Sequence, residues 1–245
     1  MKSKILLLGG SGNLGSTIIK SNIFKNILYP NKNKINILNK KKIINFLIEN
    51  KIQIIIHAAG LARIRDCEKF KNKAKKINVD GTNNIVNSIK YIKKKLNIEI
   101  MLVYISSDAV YSSTEGNYKE TDKLKPYNYY GITKMKAEKK VLKLKRFIII
   151  RTRFFNKNKI PFKYSANNIF TSSIEVNILV SYIKLLIKKK FNGVINVGRK
   201  KISDYKNYKK YKKNLIKCDK SKIFKKLNFT IATDASLNIN KLKNL

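Results

Sequence analysis

A tyrosine followed four residues later by a lysine can move protons. On a helix the two share a face, and an ammonium beside a phenol depresses its pKa so that it can exchange a proton with a carbonyl or hydroxyl. Tyr130 and Lys134 make such a pair. So do Tyr91/Lys95, Tyr205/Lys209 and Tyr208/Lys212, and in so lysine-rich a chain about 2.6 occurrences are expected by chance. Context separates them. Only Tyr130/Lys134 opens a predicted helix after a proline-containing loop (Pro126) and follows a predicted strand ending in Ser106-Ser107-Asp108. Ser107, at the carboxyl end of that strand, lies where open α/β sheets bind ligands, and it can hydrogen-bond the oxygen that Tyr130 protonates.

A second constellation precedes it. Gly9-Gly10-Ser11-Gly12-Asn13-Leu14-Gly15 follows the first apolar run directly and opens a helical pattern. Glycines spaced in this way let the backbone approach a pyrophosphate, while the helix N-terminus offers N–H donors and the positive end of its dipole. Gly9, Ser11, Gly12, Asn13, Leu14 and Gly15 are therefore the expected cofactor loop. With 10 glycines in 245 residues, chance would produce only about 0.02 such triplets. The acidic residue that commonly grips the adenosine ribose about 20 positions on is missing, for no Asp or Glu precedes Glu49. Lys32, Lys34 and Lys40 surround the predicted second strand instead, which favours the 2′-phosphate of NADP over NAD.

These residues need a frame. Short continuous apolar runs occur at Ile5–Leu8, Ile52–His57, Ile100–Ile105 and Phe147–Ile150, with a weaker one at Gly193–Val197. Continuous apolar character predicts strands covered on both faces, hence parallel pairing. Helical patterns lie between them, near 13–25, 40–50, 78–96, 128–144 and 174–189. Repeated strand–helix units predict an α/β fold, a doubly wound parallel sheet of the Rossmann type with right-handed crossovers. Beyond about Lys200 no buried strand is evident, and a small helical appendage or frayed tail is expected.

Composition removes other classes. Lys and Arg number 55 against 14 Asp and Glu, a formal charge of +41. Six of those cations are Arg, whereas a phosphate-binding surface leans on its bidentate fork. Lys, Asn and Ile rise together, as an AT-rich coding sequence would produce, so no nucleic-acid partner is expected. Two cysteines, Cys67 and Cys218, fit a reduced compartment rather than a disulfide scaffold. The apolar run after Lys4 is too short for a signal core, and no run approaches the ~20 apolar residues of a membrane span. A cytoplasmic protein without membrane contact is expected. With His57 the single histidine, no metal site is expected.

At this point the chain resembles the extended short-chain dehydrogenase/reductase family and, within it, the dTDP-4-dehydrorhamnose reductase branch. The resemblance rests on the glycine loop, Ile55-Ile-His-Ala-Ala-Gly60, Cys67-Glu68, Ile77-Asn-Val-Asp-Gly-Thr82, Ser106-Ser-Asp-Ala-Val-Tyr111 and the stretch Glu120–Lys134 with Ala137-Glu138. These segments run in the family's order over about residues 3–155. Weaker likeness continues through Asn196-Val-Gly198, Ser203-Asp-Tyr205 and Thr233–Leu237. The resemblance implies that Ser107 is the catalytic Ser/Thr, Tyr130 the proton donor, and Lys134 the residue that tunes Tyr130 and holds the nicotinamide ribose. It implies that Ala58, Ala59 and Gly60 lie along the cofactor and that Asn78 belongs to the active-site region. His57 is expected to be a packed strand-end residue. Ser107, Asp108 and Arg153 form the expected substrate-facing set.

The implied activity is NAD(P)H-dependent reduction of a nucleotide-linked 4-keto-6-deoxy sugar, for surface polysaccharide synthesis. A homodimer is the candidate assembly. Departures from the pattern are Arg65 where Asp is usual, the absence of a Pro that is usual near Ser172, and a short segment between Arg153 and Phe170. The expected division is an NAD(P)-binding domain over 1–155 and 174–198 with a reduced substrate-binding region over 156–173 and 199–245. Two alternatives within this superfamily remain. One is an epimerase or dehydratase, disfavoured for the dehydratase because Ala109 follows Asp108 where an acid would be needed. The other is a non-catalytic NAD(P)- or sugar-nucleotide-binding subunit, since the branch also resembles the regulatory subunit of methionine adenosyltransferase. A fourth reading, base stacking by Tyr205, Tyr208 and Tyr211, competes with those rings packing as one helix face on a small domain.

Overall fold

The computed structural model describes residues 3–225 and 231–245. Its first half alternates strand and helix: β1 (Ile5–Leu8), α1 (Asn13–Ser21), β2 (Ile27–Leu28), α2 (Lys40–Glu49) and β3 (Ile54–His57). Then follow α3 (Ile64–Lys69), α4 (Lys71–Lys75), a π-helical turn (Lys76–Asp80), α5 (Gly81–Leu96), β4 (Met101–Ile105), α6 (Tyr129–Val141) and β5 (Phe147–Thr152). Short pieces succeed these: β6 (Phe154–Phe155), β7 (Tyr164–Ala166), β8 (Phe170–Thr171) and β9 (Ile174–Glu175). The chain returns to the sheet through α7 (Val176–Lys188) and β10 (Gly193–Val197). It ends with β11 (Ile202–Ser203), α8 (Asp204–Lys209), β12 (Ile216–Cys218), α9 (Lys220–Phe224), β13 (Asp234–Ala235) and α10 (Asn240–Lys243).

The main sheet runs β10-β5-β4-β3-β1-β2, with every pair parallel. The five apolar runs all became strands of this sheet. β2 is a sixth: at Ile27–Leu28 it precedes Lys32, Lys34 and Lys40 rather than lying among them, and its two residues are too few to leave an apolar run. Alternation along each strand divides the core. Ile5, Leu7, Ile54, Ile56 and Val103 face a cluster built by α1 and α7, including Leu14, Ile18, Leu179 and Ile183. Leu6, Leu8, Ile55, Leu102 and Tyr104 face the opposite cluster, where α2, α5 and α6 contribute Ile43, Leu47, Ile85, Ile89, Ala137 and Val141. With both faces covered, the strands read as unbroken apolar runs. Connections leave β1 towards β2 on one side and β3 on the other, so the topological switch point lies between β1 and β3.

The C-terminal stretch differs from the expected helical appendage. β11 and β13 flank β8 in a three-stranded sheet, and β12 pairs with β7. These strands have two or three residues each, too short to carry a periodic signal. They tie the stretch after Lys200 to the segment following Arg153. Tyr208 packs edge-on against Phe155 and Phe162, with ring centroids at 5.1 and 5.0 Å, and Tyr211 lies 5.4 Å from Phe155. Two of the three spaced tyrosines are thus engaged inside the protein's own fold. Residues 226–230, within the expected substrate-binding region, lie outside the described residues, as do residues 1–2. No helix among the described residues is long and apolar enough to cross a membrane.

Candidate active site

A cavity of about 520 Å³ opens over the carboxyl ends of the strands at the switch point. Gly12, Asn13, Leu14, Gly15, Ala58, Ala59 and Gly60 line one part, and Ser107, Asp108, Tyr130, Lys134 and Arg153 line another. Gly9 and Ser11 do not line it. Gly9 builds the loop from behind: its φ is +94°, and a Cβ there would stand 2.5 Å from the Ala59 nitrogen. At Gly15 a Cβ would stand 2.1 Å from the Gly9 carbonyl oxygen, so side chains are excluded from both positions. The N-terminus of α1 receives no side-chain cap and has no acid in its first turn. Its backbone donors face a cradle only glycine can form, which fits a pyrophosphate. Lys32, Lys34 and Lys40 are exposed along the segment between β2 and α2.

Tyr130 is set by the start of α6. The Asn128 side chain accepts from Gly131 N at 2.7 Å, and the Glu68 carboxylate accepts from Tyr129 N at 2.7 Å. Both satisfy N–H groups left open at a helix start, and an anion there also suits the helix dipole. Lys134 lies one turn further along. Its Nζ donates to the Ile105 carbonyl at 2.6 Å and sits 4.1 Å from the centroid of the Tyr104 ring. Burial lowers its pKa to about 7, with the Glu138 carboxylate pulling upward.

Tyr130 and Ser107 line the same cavity, close enough for the Ser107 hydroxyl to act on the phenol. Ser107 also donates to Asp108 Oδ1 at 3.1 Å and accepts from Ala109 N at 3.2 Å. The Tyr130 pKa is raised, not depressed: burial dominates, the Ser107 hydroxyl opposes it, and Lys134 is not among the main causes. The lysine ammonium is instead directed at a backbone carbonyl.

Asp108 is buried and ion-paired, its Oδ2 standing 2.7 Å from Arg153 Nε. Burial raises its carboxyl pKa and Arg153 opposes that rise. Behind the site, Asn78 in the π-helical turn accepts from Leu61 N at 2.7 Å and donates to Leu61 O at 3.0 Å and to Thr133 Oγ1 at 2.9 Å. It clamps the loop after β3 to α6. His57 is buried at the end of β3, with Nε2 3.0 Å from Thr82 Oγ1 and a pKa lowered to about 3, chiefly by burial. It is a neutral packed residue outside the cavity lining. No group of three or more His, Cys, Asp or Glu able to hold a metal occurs among the described residues.

Two contributors were given no role by the sequence, although both lie in segments that carry the resemblance, Ala137-Glu138 and Ser203-Asp-Tyr205. Glu138 accepts from Arg151 Nη2 at 2.8 Å and from Ser106 Oγ, fastening α6 to the ends of β4 and β5. Asp204, from the C-terminal stretch, lines the cavity beside Arg153. A single acid in a lysine-rich stretch carries no spacing signal that could have singled it out.

A parallel doubly wound sheet, a glycine cradle at its switch point and a Ser–Tyr–Lys set beside it define an extended short-chain dehydrogenase/reductase-like fold. The chain belongs to the RmlD substrate binding domain family, whose model matches residues 3–170. Methionine adenosyltransferase 2 subunit beta of Bos taurus is 29% identical over 148 residues, covering 57% of this chain and 42% of the relative. The dTDP-4-dehydrorhamnose reductase of Aggregatibacter actinomycetemcomitans is 26% identical over 155 residues, 61% of this chain and 51% of the relative. The alignments thus span about half the length, or less, of these curated relatives. The solved dTDP-4-dehydrorhamnose reductase of Bacillus anthracis, in complex with NADP, superposes with a TM-score of 0.85 at 22% identity, covering 100% of this chain and 92% of that one. At that identity the likeness carries the fold.

Proposed function

We propose that the protein is an NAD(P)H-dependent reductase of a nucleotide-linked 4-keto-6-deoxy sugar, with NADP(H) preferred. The observation that carries this reading is the convergence of Ser107, Tyr130 and Lys134 with the glycine cradle and Ala58–Gly60 in one cavity. In it, residues 1–155 and 174–198 serve the cofactor, and residues 156–173 and 199–245 form a reduced substrate region. Gly12–Gly15 and Ala58–Gly60 would hold the dinucleotide, and Lys32 and Lys34 after β2 with Lys40 at the start of α2 are the exposed cations offered to an adenosine 2′-phosphate. The bound nicotinamide supplies the hydride.

The chain's own residues handle the proton. Tyr130, kept protonated by its raised pKa, donates its phenolic proton to the sugar oxygen as negative charge develops there. Ser107 holds that oxygen with its hydroxyl. Lys134, whose pKa lies at about 7, lines the same cavity and, when protonated, is the cation proposed to offset the phenolate left behind. Asp108 is occupied by Arg153, which leaves the dehydratase reading without a free acid–base pair beside Ser107. The named reductase relative supports a nucleotide-linked sugar as substrate, and synthesis of a surface-polysaccharide sugar is the role this reading assigns.

The test is incubation with dTDP-4-dehydrorhamnose and either NADPH or NADH, following loss of nicotinamide absorbance. Turnover with tighter use of NADPH is expected. One observation favours a second reading. The likeness to methionine adenosyltransferase 2 subunit beta suits a non-catalytic NAD(P)-binding subunit, and cofactor binding without turnover of any keto-sugar nucleotide would select it.

A further inference from the structure

Asp204 is the first residue of α8, yet it reaches the cavity that holds Ser107 and Tyr130. Arg153 is shared between two acids: its Nε is 2.7 Å from Asp108 Oδ2, and its charge also attracts Asp204. Asp108 alone neutralises that guanidinium, so Asp204 is a surplus carboxylate and the trio carries a net negative charge. Its Oδ1 is buried and has no hydrogen-bond partner among the described residues. Burial raises the Asp204 carboxyl to about 6, Arg153 opposing and Asp108 assisting. It is therefore ionised at neutral pH. Buried acceptors without donors are rare in folded proteins because they forfeit hydration, and each asks for an explanation. A purely structural acid would be expected to find a donor on its own chain. This one belongs to a residue that lines the cavity shared with the proton donor.

We propose that Asp204 is a substrate-positioning and specificity residue, accepting a hydrogen bond from a hydroxyl of the sugar held in front of Tyr130. This rests on the nucleotide-sugar reading above and deepens it. The cluster favours a sugar carrying a hydrogen-bond donor at that point. It disfavours a deoxy carbon, which offers the Asp204 carboxylate no donor, and a carboxylate, which the net negative charge repels.

The experiment measures binding of dTDP-rhamnose and of NADPH by calorimetry to the wild type, Asp204→Leu and Asp204→Asn. Thermal unfolding is recorded for all three. Loss of the acceptor in Asp204→Leu is expected to weaken dTDP-rhamnose about tenfold to hundredfold, with NADPH affinity held within about twofold. Asp204→Asn keeps an acceptor oxygen and is nearly isosteric, so it is expected to restore most of the sugar-nucleotide affinity. Unchanged dTDP-rhamnose binding in a folded Asp204→Leu protein overturns this inference and leaves the reductase reading standing. So does equal weakening of both ligands, which marks a structural role. A wild type that binds NADPH but not dTDP-rhamnose removes the reductase reading and this inference together.

Discussion

Lys134 Nζ donates to the Ile105 carbonyl while lying over the ring of Tyr104. Burial lowers the pKa of this ammonium to about 7 against the upward pull of Glu138, while the carbonyl and the ring face give the charged form direct partners. Because kcat/KM for the cofactor reports the free enzyme, it is expected to fall as pH rises through about 7 and Lys134 loses its proton. Tyr130 stays protonated throughout. Tyr104→Leu removes the ring, so this limb is expected to move to lower pH. A profile without a descending limb between about pH 6 and about pH 9 would contradict the assignment.

The glycine loop separates fold from ligand approach. At Gly15 an added Cβ would stand 2.1 Å from Gly9 O, whereas at Gly12 it would stand 3.4 Å from the same atom. Gly15→Ala is expected to lower Tm and abolish NADPH binding together. Gly12→Ala adds an ordinary contact, so Tm is expected to hold within ~2 °C while its methyl intrudes on the phosphate path and weakens NADPH. Calorimetry and thermal melts on both variants check this.

Arg151 is buried and held by Glu138, Tyr111 and the Glu120 carbonyl. Neutralising its counter-charge leaves an uncompensated guanidinium. Glu138→Gln is expected to lose about 3–5 kcal/mol in urea unfolding. A loss below ~1 kcal/mol would show that the pair does not fasten α6.

The surplus acid has a stability signature as well. Asp204 has its pKa raised to about 6 from 3.8, so between those values the folded chain binds more protons than the unfolded one. Its favourable contribution is complete below the unfolded value and is lost as pH rises through the folded one. Asp204→Asn is therefore expected to melt above wild type at neutral pH, with the difference closing towards pH 4. The same variant at or below wild-type Tm at neutral pH would contradict the account of Asp204 as a carboxylate whose charge the fold disfavours.

Much of this was legible in the residues. The strands of the sheet announced themselves because helices cover both faces, and the glycine loop because glycine is scarce. Tyr130/Lys134 was one of four equivalent pairs and became visible only through the strand and loop before it. β2, β11 and β13 were not legible, since two residues carry no periodicity. Nor was the orientation of Lys134 towards a carbonyl, which depends on where β4 ends relative to α6. Asp204 reaches the site only because β11 pairs with β8, a long-range contact without a local trace.

The most direct measurement is turnover of dTDP-4-dehydrorhamnose with NADPH by wild type and Tyr130→Phe. The account predicts a loss of about 10²–10⁴ in kcat, as removal of a general acid produces, with NADPH affinity retained. Equal kcat in the two proteins would contradict the central claim that Tyr130 delivers the proton.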